Sequence, residues 1–109
     1  MTNHITIVSD DNFQAEVLAS ELPVLLDFGA EWCPPCKKQL PILEKFAEAN
    51  AGMVKVCKLD VDDAPKTAAQ YKVRSIPLLA VFKGGEMVFS KAGMASLADL
   101  SKYISGEAK

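Results

Sequence analysis

Residues Val24-Leu25-Leu26-Asp27-Phe28 form a near-continuous apolar run, and this run most limits what the chain can become. A strand with apolar side chains on both sides must be covered on both faces. Strands of parallel sheets, with helices packed above and below, carry this pattern. Pro23 breaks the chain just before the run, and Trp32-Cys33-Pro34-Pro35-Cys36 follows it. The chain has 109 residues, half of them hydrophobic. That suits one domain with one modest core, and residues 1–109 are expected to form it.

The remaining segments extend this pattern. Ile5-Thr6-Ile7-Val8 reads as a short first strand. Ser9 and Asp10 offer N-caps to a helix in which Phe13, Val17 and Leu18 recur at helical spacing. From Pro34 to about Asn50, Leu40, Leu43, Phe46 and Ala47 make one helical face, with Gly52 as a stop signal beyond it. Val54 to Val61 is a third strand. Ala64 to Tyr71 is a short helix with Pro65 in its first turn. Leu78 to Phe82 and Met87 to Phe89 flank Gly84-Gly85, the signature of a tight antiparallel hairpin. Ser96 with Asp99 predicts a capping arrangement for a last helix through Ile104. The order βαβαβαββα implies an α/β fold, a mixed sheet with helices on its faces.

The chemistry centres on Cys33 and Cys36. Two cysteines at this spacing, in a βαβ-type pattern, read as a redox motif. They sit where a strand ends and a helix begins. Helix N-termini carry exposed N–H groups and a partial positive charge, and both stabilise a thiolate. Cys33 is expected to be the nucleophile. Cys36, one turn in and less exposed, is expected to resolve the mixed disulfide. A static disulfide is the plain alternative, although exposed disulfides in reducing compartments are mostly catalytic. Zinc wants four ligands. Cys33, Cys36, Cys57 and His4 are the only Cys and His, with no second close pair, so neither a metal nor a cofactor is expected.

Asp27 is a carboxylate inside an apolar strand. If buried, its pKa rises and it can exchange a proton with Cys36. An exposed strand face is the alternative, and the flanking apolar residues favour burial. Lys58 is a possible partner for Asp27, though its pattern alone reads as a surface lysine. Trp32 reads as a cap over the site, and Cys57 as core filler. Pro77 opens the fourth strand. Since only about 5–6% of X–Pro bonds in folded proteins are cis, the residues alone favour trans for Ile76–Pro77.

The net charge of -2 with interspersed signs argues against nucleic acid as an obligate partner. Three cysteines are too few and too odd in number for a secreted disulfide scaffold. Met1 to Asp11 has no long apolar stretch and does not read as a signal peptide. No run approaches the ~18 apolar residues of a membrane span. The expectation is a cytoplasmic monomer that does not engage membranes.

The sequence resembles the thioredoxin family over nearly its whole length. The resemblance is carried by Leu26-Asp27-Phe28, Ala30-Glu31-Trp32-Cys33, Pro35-Cys36-Lys37, Pro41, Lys58-Leu59-Asp60, Ile76-Pro77, Phe82-Lys83-Gly84-Gly85-Glu86 and Gly93, in matching order and spacing. It implies a thioredoxin fold, with a five-stranded mixed sheet flanked by four helices. It also implies a cis Ile76–Pro77 bond facing Cys33. By this resemblance Cys33 attacks, Cys36 resolves, and Asp27 lies beneath Cys36 with Lys58 beside it. Trp32, Ile76, Pro77 and Gly93 would dock an extended substrate segment, paired to the Ile76 backbone in strand fashion. The implied activity is protein-disulfide reduction, with a thioredoxin reductase-type electron donor and disulfide-containing protein substrates. The alternative is a binding subunit that keeps the fold while its redox chemistry is incidental.

Three positions depart from the family pattern. Pro34 replaces a glycine between the cysteines. With Pro35, it stiffens the ring and bears on the redox potential, as does Lys58. Gly29 stands in place of a tryptophan, and Leu78 in place of a threonine after Pro77.

Overall fold

The computed structural model describes residues 4–107. Along the chain run β1 (Ile5–Val8), a π-helical turn (Gln14–Leu18), β2 (Val24–Gly29), α1 (Pro34–Ala49), β3 (Lys55–Asp60), α2 (Pro65–Gln70), β4 (Leu78–Lys83), β5 (Glu86–Ala92) and α3 (Leu97–Ser105). The five strands form one sheet in the order β1-β3-β2-β4-β5. β1, β3 and β2 are parallel, while β4 runs antiparallel to β2 and to β5. This is the expected α/β mixed sheet with four helical segments.

All six residues of β2 are buried, as the apolar run predicted. The strand is central, so its edges are used by β3 and β4 and its faces by two separate cores. On one face Leu25 packs with Leu43 and Phe46 of α1 and with Leu100 and Tyr103 of α3. On the other, Leu26 and Phe28 pack with Val17, Leu59, Phe82 and the partly buried Tyr71. Side chains alternate along a strand. Asp27 and Gly29 therefore share the α1 face with Leu25. Cys57 belongs to the opposite core, fully buried and unpaired, as expected of core filler.

The ends of the elements follow local chemistry. Gly84 and Gly85 have φ of 60° and 83°, the left-handed geometry that a two-residue hairpin demands. Ser96 Oγ accepts from Asp99 N–H at 3.1 Å, and Asp99 Oδ2 accepts from Ser96 N–H at 3.0 Å. The expected capping box on α3 is present.

The segment after β1 departs from expectation. Its helix is a single π-type turn, with Ala19 N–H bonded to the Gln14 carbonyl at 2.9 Å. Asp10 does not cap it. The Asp10 carboxylate instead accepts from Thr67 N–H at 2.8 Å, Thr67 Oγ1 at 2.7 Å and Lys66 N–H at 3.2 Å. α2 starts at Pro65 after Ala64, which has no capping side chain. Asp10 supplies that cap from a distant part of the chain.

Replacing Asp10 with Ala is expected to lower the melting temperature and to speed amide exchange at Lys66 and Thr67, leaving β2 protected. Exchange at Lys66 and Thr67 unchanged from wild type would refute this cap.

Candidate active site

The end of β2 sets the position of the cysteines. Gly29 carbonyl accepts from Val61 N–H at 2.9 Å, so the ladder to the β3 side extends to the end of the strand. Ala30 is buried, and its carbonyl accepts from Cys33 N–H at 3.3 Å in the turn that follows. Cys33 is the N-cap of α1, with extended backbone at φ -98° and ψ 108°. Pro34 and Pro35 fill N1 and N2, where fixed φ suits a helix start and a missing N–H breaks no helical bond. Cys36 is N3. Its N–H donates to Cys33 Sγ at 3.3 Å, a backbone bond to sulfur at the helix N-terminus.

Cys33 and Cys36 form a disulfide with Cα atoms 5.2 Å apart. The two residues are 4% and 5% exposed, so the expected difference in exposure is absent. Cys33 is covered from outside its own helix. Its Sγ lies 3.9 Å from the Ile76 carbonyl oxygen, and Ala30, Val61 and Ile76 complete a small apolar cluster. The asymmetry lies in direction. Cys33 Sγ faces the Ile76 segment, whereas Cys36 Sγ faces Gly29, where an added Cβ would lie 3.3 Å away.

The Ile76–Pro77 bond is cis, as the resemblance implied and the residues alone did not. Pro77 carbonyl accepts from Gly93 N–H at 2.8 Å. Gly93 has φ of 104°, a conformation that favours glycine. Two residues on, the buried Gln39 of α1 clamps Ala95. Gln39 Nε2 donates to Ala95 carbonyl at 2.9 Å, and Ala95 N–H donates to Gln39 Oε1 at 2.8 Å. α1 thus holds both the cysteines and the segment that carries Gly93.

Trp32 is 67% exposed, so it is not part of the core. Its Nε1 donates to Asp62 Oδ2 at 2.7 Å, holding the indole toward the loop between β3 and α2. Gln39 and Asp62 are site residues that sequence reasoning missed. Gln39 was detectable as a polar residue four before Leu43 on the apolar face of α1. Nothing in the run Asp60-Val61-Asp62-Asp63 marks Asp62 as the acceptor for Trp32.

Asp27 is 1% exposed, and its Oδ1 has no hydrogen-bond partner among the described residues. Burial raises its carboxyl from the ordinary 3.8 to about 7, against the opposing pull of the Lys58 ammonium. Lys58 pairs in register with Asp27 across β2 and β3 and is half-buried. Among the described residues the only ion pair is Lys55–Glu16, so Lys58 acts on Asp27 at longer range. Cys57 differs from the active pair. Burial pushes its thiol up to about 12, leaving it protonated and unreactive.

Gly29 leaves space beside these groups. A cleft of about 380 Å³ is bordered by Asp27, Gly29, Glu31, Cys36, Lys37 and Lys58. Among the described residues, no group of three or more His, Cys, Asp or Glu side chains is placed to hold a metal ion.

A vicinal cysteine pair at a helix N-terminus, above a buried carboxylate and against a cis-proline segment, defines a thiol–disulfide oxidoreductase site. Comparison with known proteins agrees. The thioredoxin family model matches residues 4–106. A thioredoxin of Acidithiobacillus ferridurans is 44% identical over 107 residues, covering 98% of this chain and 99% of that one. Thioredoxin C-2 of Corynebacterium nephridii is 45% identical over 104 residues, covering 95% and 96%. A thioredoxin of Synechocystis is 48% identical over 101 residues, covering 89% and 94%. The chain belongs to the thioredoxin family. It is a protein-disulfide oxidoreductase working through the Cys33/Cys36 couple, and membership implies disulfide substrates and a reductase partner.

The raised pKa of Asp27 has a consequence for stability. Above the unfolded carboxyl pKa of 3.8, the native state keeps a proton that the unfolded chain has lost. Stability therefore falls as pH rises from 4 through 7, by up to about 4 kcal/mol, and the loss is complete above 7. Asp27→Asn is expected to be more stable than wild type at pH 8, with a gap that narrows toward pH 4. Urea unfolding of the oxidised protein reads this directly, and a gap independent of pH would contradict it.

Proposed function

We propose that Cys33 is the attacking cysteine, Cys36 the resolving one and Asp27 the proton acceptor for Cys36. The observation that carries this is the direction of the two sulfurs. Cys33 Sγ lies at the Ile76 carbonyl, and Cys36 Sγ faces inward toward Gly29 on the face that holds Asp27. In the reduced protein the Cys33 thiolate attacks one sulfur of a substrate disulfide. A Cys33–substrate disulfide forms and the first substrate thiolate leaves. Asp27 takes the Cys36 proton, and Cys36 then attacks Cys33 Sγ. The internal disulfide closes, and the second substrate thiolate departs and is protonated. Two electrons pass from the dithiol to the substrate.

Trp32, Ile76, Pro77 and Gly93 would form the docking surface. Gly93 N–H ties its segment to Pro77, and the Ile76 backbone lies next to Cys33 Sγ, where an extended segment could add as a strand. Residues 1–109 would act as one domain and as a monomer. The exposed apolar residues Ile7 and Val88 lie on opposite edge strands rather than in one patch. The electron donor would be of the thioredoxin reductase type, and neither nucleic acid nor membrane would be a partner. Among the described residues no helix is long and apolar enough to cross a membrane. The free buried Cys57 suits a reducing, cytoplasmic setting.

Pro34, Pro35 and Lys58 would tune the couple. An N-cap side chain takes its hydrogen bond from N2 or N3. Here N3 is Cys36, so the N–H that Pro34 lacks at N1 is not one Cys33 Sγ uses. Stiffness is what remains. A reduced loop already restricted by proline loses less entropy on closing, which favours the disulfide and a more reducing couple. Lys58 would act by opposing the burial that raises Asp27.

Insulin reduction with dithiothreitol tests the activity. Cys33→Ser should abolish the enhancement over dithiothreitol alone, and Cys36→Ser should accumulate a covalent substrate adduct on Cys33. Equal rates for Cys33→Ser and wild type would overturn the assignment. Equilibration with glutathione tests the loop. Pro34→Gly should give a less reducing couple, and a more reducing one would show that the missing N–H outweighs stiffness.

A further inference from the structure

The segment from Gly93 to Ser96 joins β5 to α3 and belongs to neither a strand nor a helix. Two anchors hold it. Gly93 N–H reaches the Pro77 carbonyl, and the Gln39 amide takes both polar backbone groups of Ala95. Ala95 is buried, so neither group can turn to water instead. In an antiparallel ladder, two facing residues exchange an N–H and a C=O in the same way. Here a side chain takes the place of a strand neighbour.

This arrangement is costly to build. Gln39 is fully buried on the apolar face of α1, and only Asp27 and Thr67 join it as buried polar or charged side chains among the described residues. An apolar residue at 39 would pack there without needing two hydrogen-bond partners. What the amide adds is a fixed distance between α1 and the Gly93 segment.

That distance bears on the redox pair through a closed ring of links. Gln39 lies about one helical turn from Cys36. Cys36 N–H donates to Cys33 Sγ, and Cys33 Sγ faces the Ile76 carbonyl. Ile76 leads to Pro77, whose carbonyl is bonded to Gly93 N–H, and Gly93 leads back to Ala95 and Gln39. Every link but one is backbone or cysteine sulfur. The exception is the Gln39 side chain.

We propose that Gln39 is a positioning residue for protein substrates. By fixing Ala95 to α1, it holds Gly93 and Pro77 at a set distance from Cys33, so a docking segment meets a surface already formed. This rests on the docking surface proposed above and names the side chain that holds its far side in place. The amide bonds to Ala95 and to neither cysteine, so its effect falls on docking rather than on the exchange step.

The test compares two disulfides in single-turnover oxidation of the fully reduced chain, followed by quenched alkylation. Insulin is a protein and uses the docking surface, whereas hydroxyethyl disulfide is too small to span it. Gln39→Met keeps the volume and removes both hydrogen bonds. It is expected to slow oxidation by insulin about tenfold and to change the rate with hydroxyethyl disulfide by less than about twofold. Equal slowing of both, or slowing of neither, overturns the proposal. Trp32→Ala separates this outcome from the docking reading itself. If it lowers the ratio of the two rates and Gln39→Met does not, only the positioning role is refuted. If neither variant lowers the ratio, the docking surface falls with it. Hydrogen exchange on the wild type adds an arm that needs no variant. The surface must exist in the dithiol that meets the substrate, so Ala95 N–H is expected to stay protected at least about a hundredfold in oxidised and reduced protein alike. Loss of that protection on reduction also overturns the proposal.

Discussion

Complete burial of β2 is the constraint on which the rest of the structure depends. The strand has partners on both edges and cores on both faces. A strand in that position needs α1 and α3 on one side and the π turn and α2 on the other. Its end also defines where the chemistry starts. The Val61–Gly29 hydrogen bond carries the ladder to the last residue of the strand, and Cys33 follows after a turn closed by Ala30 carbonyl. The sulfur is thus placed by sheet packing. The helix that receives it begins with two prolines that need no helical donor.

The same burial makes Asp27 costly. A carboxylate on the α1 face of β2, with one oxygen unpartnered, is a net penalty at neutral pH. An apolar residue there would continue the core begun by Leu25. Stability offers no reason for the carboxylate, whereas the proton transfer proposed at Cys36 offers one. Burial raises the group to about 7, the range where it can both take and return a proton near neutrality. In the proposed mechanism, the residue that weakens the sheet is the one that moves the proton.

What could be read from the sequence follows from how locally each feature is encoded. The β2 run, the hairpin glycines and the Ser96–Asp99 box each depend on neighbours a few residues apart, and each appeared as expected. Features joining distant segments did not. Asp10 looked like the cap of the next helix, yet it caps α2, 56 and 57 residues away. Gln39 reaches Ala95 across 56 positions, and Trp32 reaches Asp62 across 30. The cis Ile76–Pro77 bond came through resemblance alone, because local preference favours trans. Exposure of the cysteines was misjudged for the same reason, since the cover over Cys33 comes from Ile76.

Pro34 and Gly29, two of the three departures from the family pattern, act at different places. Pro34 occupies N1, while the hydrogen bond to Cys33 Sγ comes from N3, so the change alters loop freedom and leaves the donor in place. Gly29 lies at the end of β2 on the face of Leu25 and Asp27, against Cys36. There the close packing that begins at Leu25 stops one side chain early. Asp27 and Cys36 both border the cleft there, yet they stay 1% and 5% exposed. A Cβ at 29 would lie 3.3 Å from both Cβ and Sγ of Cys36, closer than ordinary van der Waals contact, so glycine is what lets the end of β2 meet the first turn of α1 without displacing the sulfur.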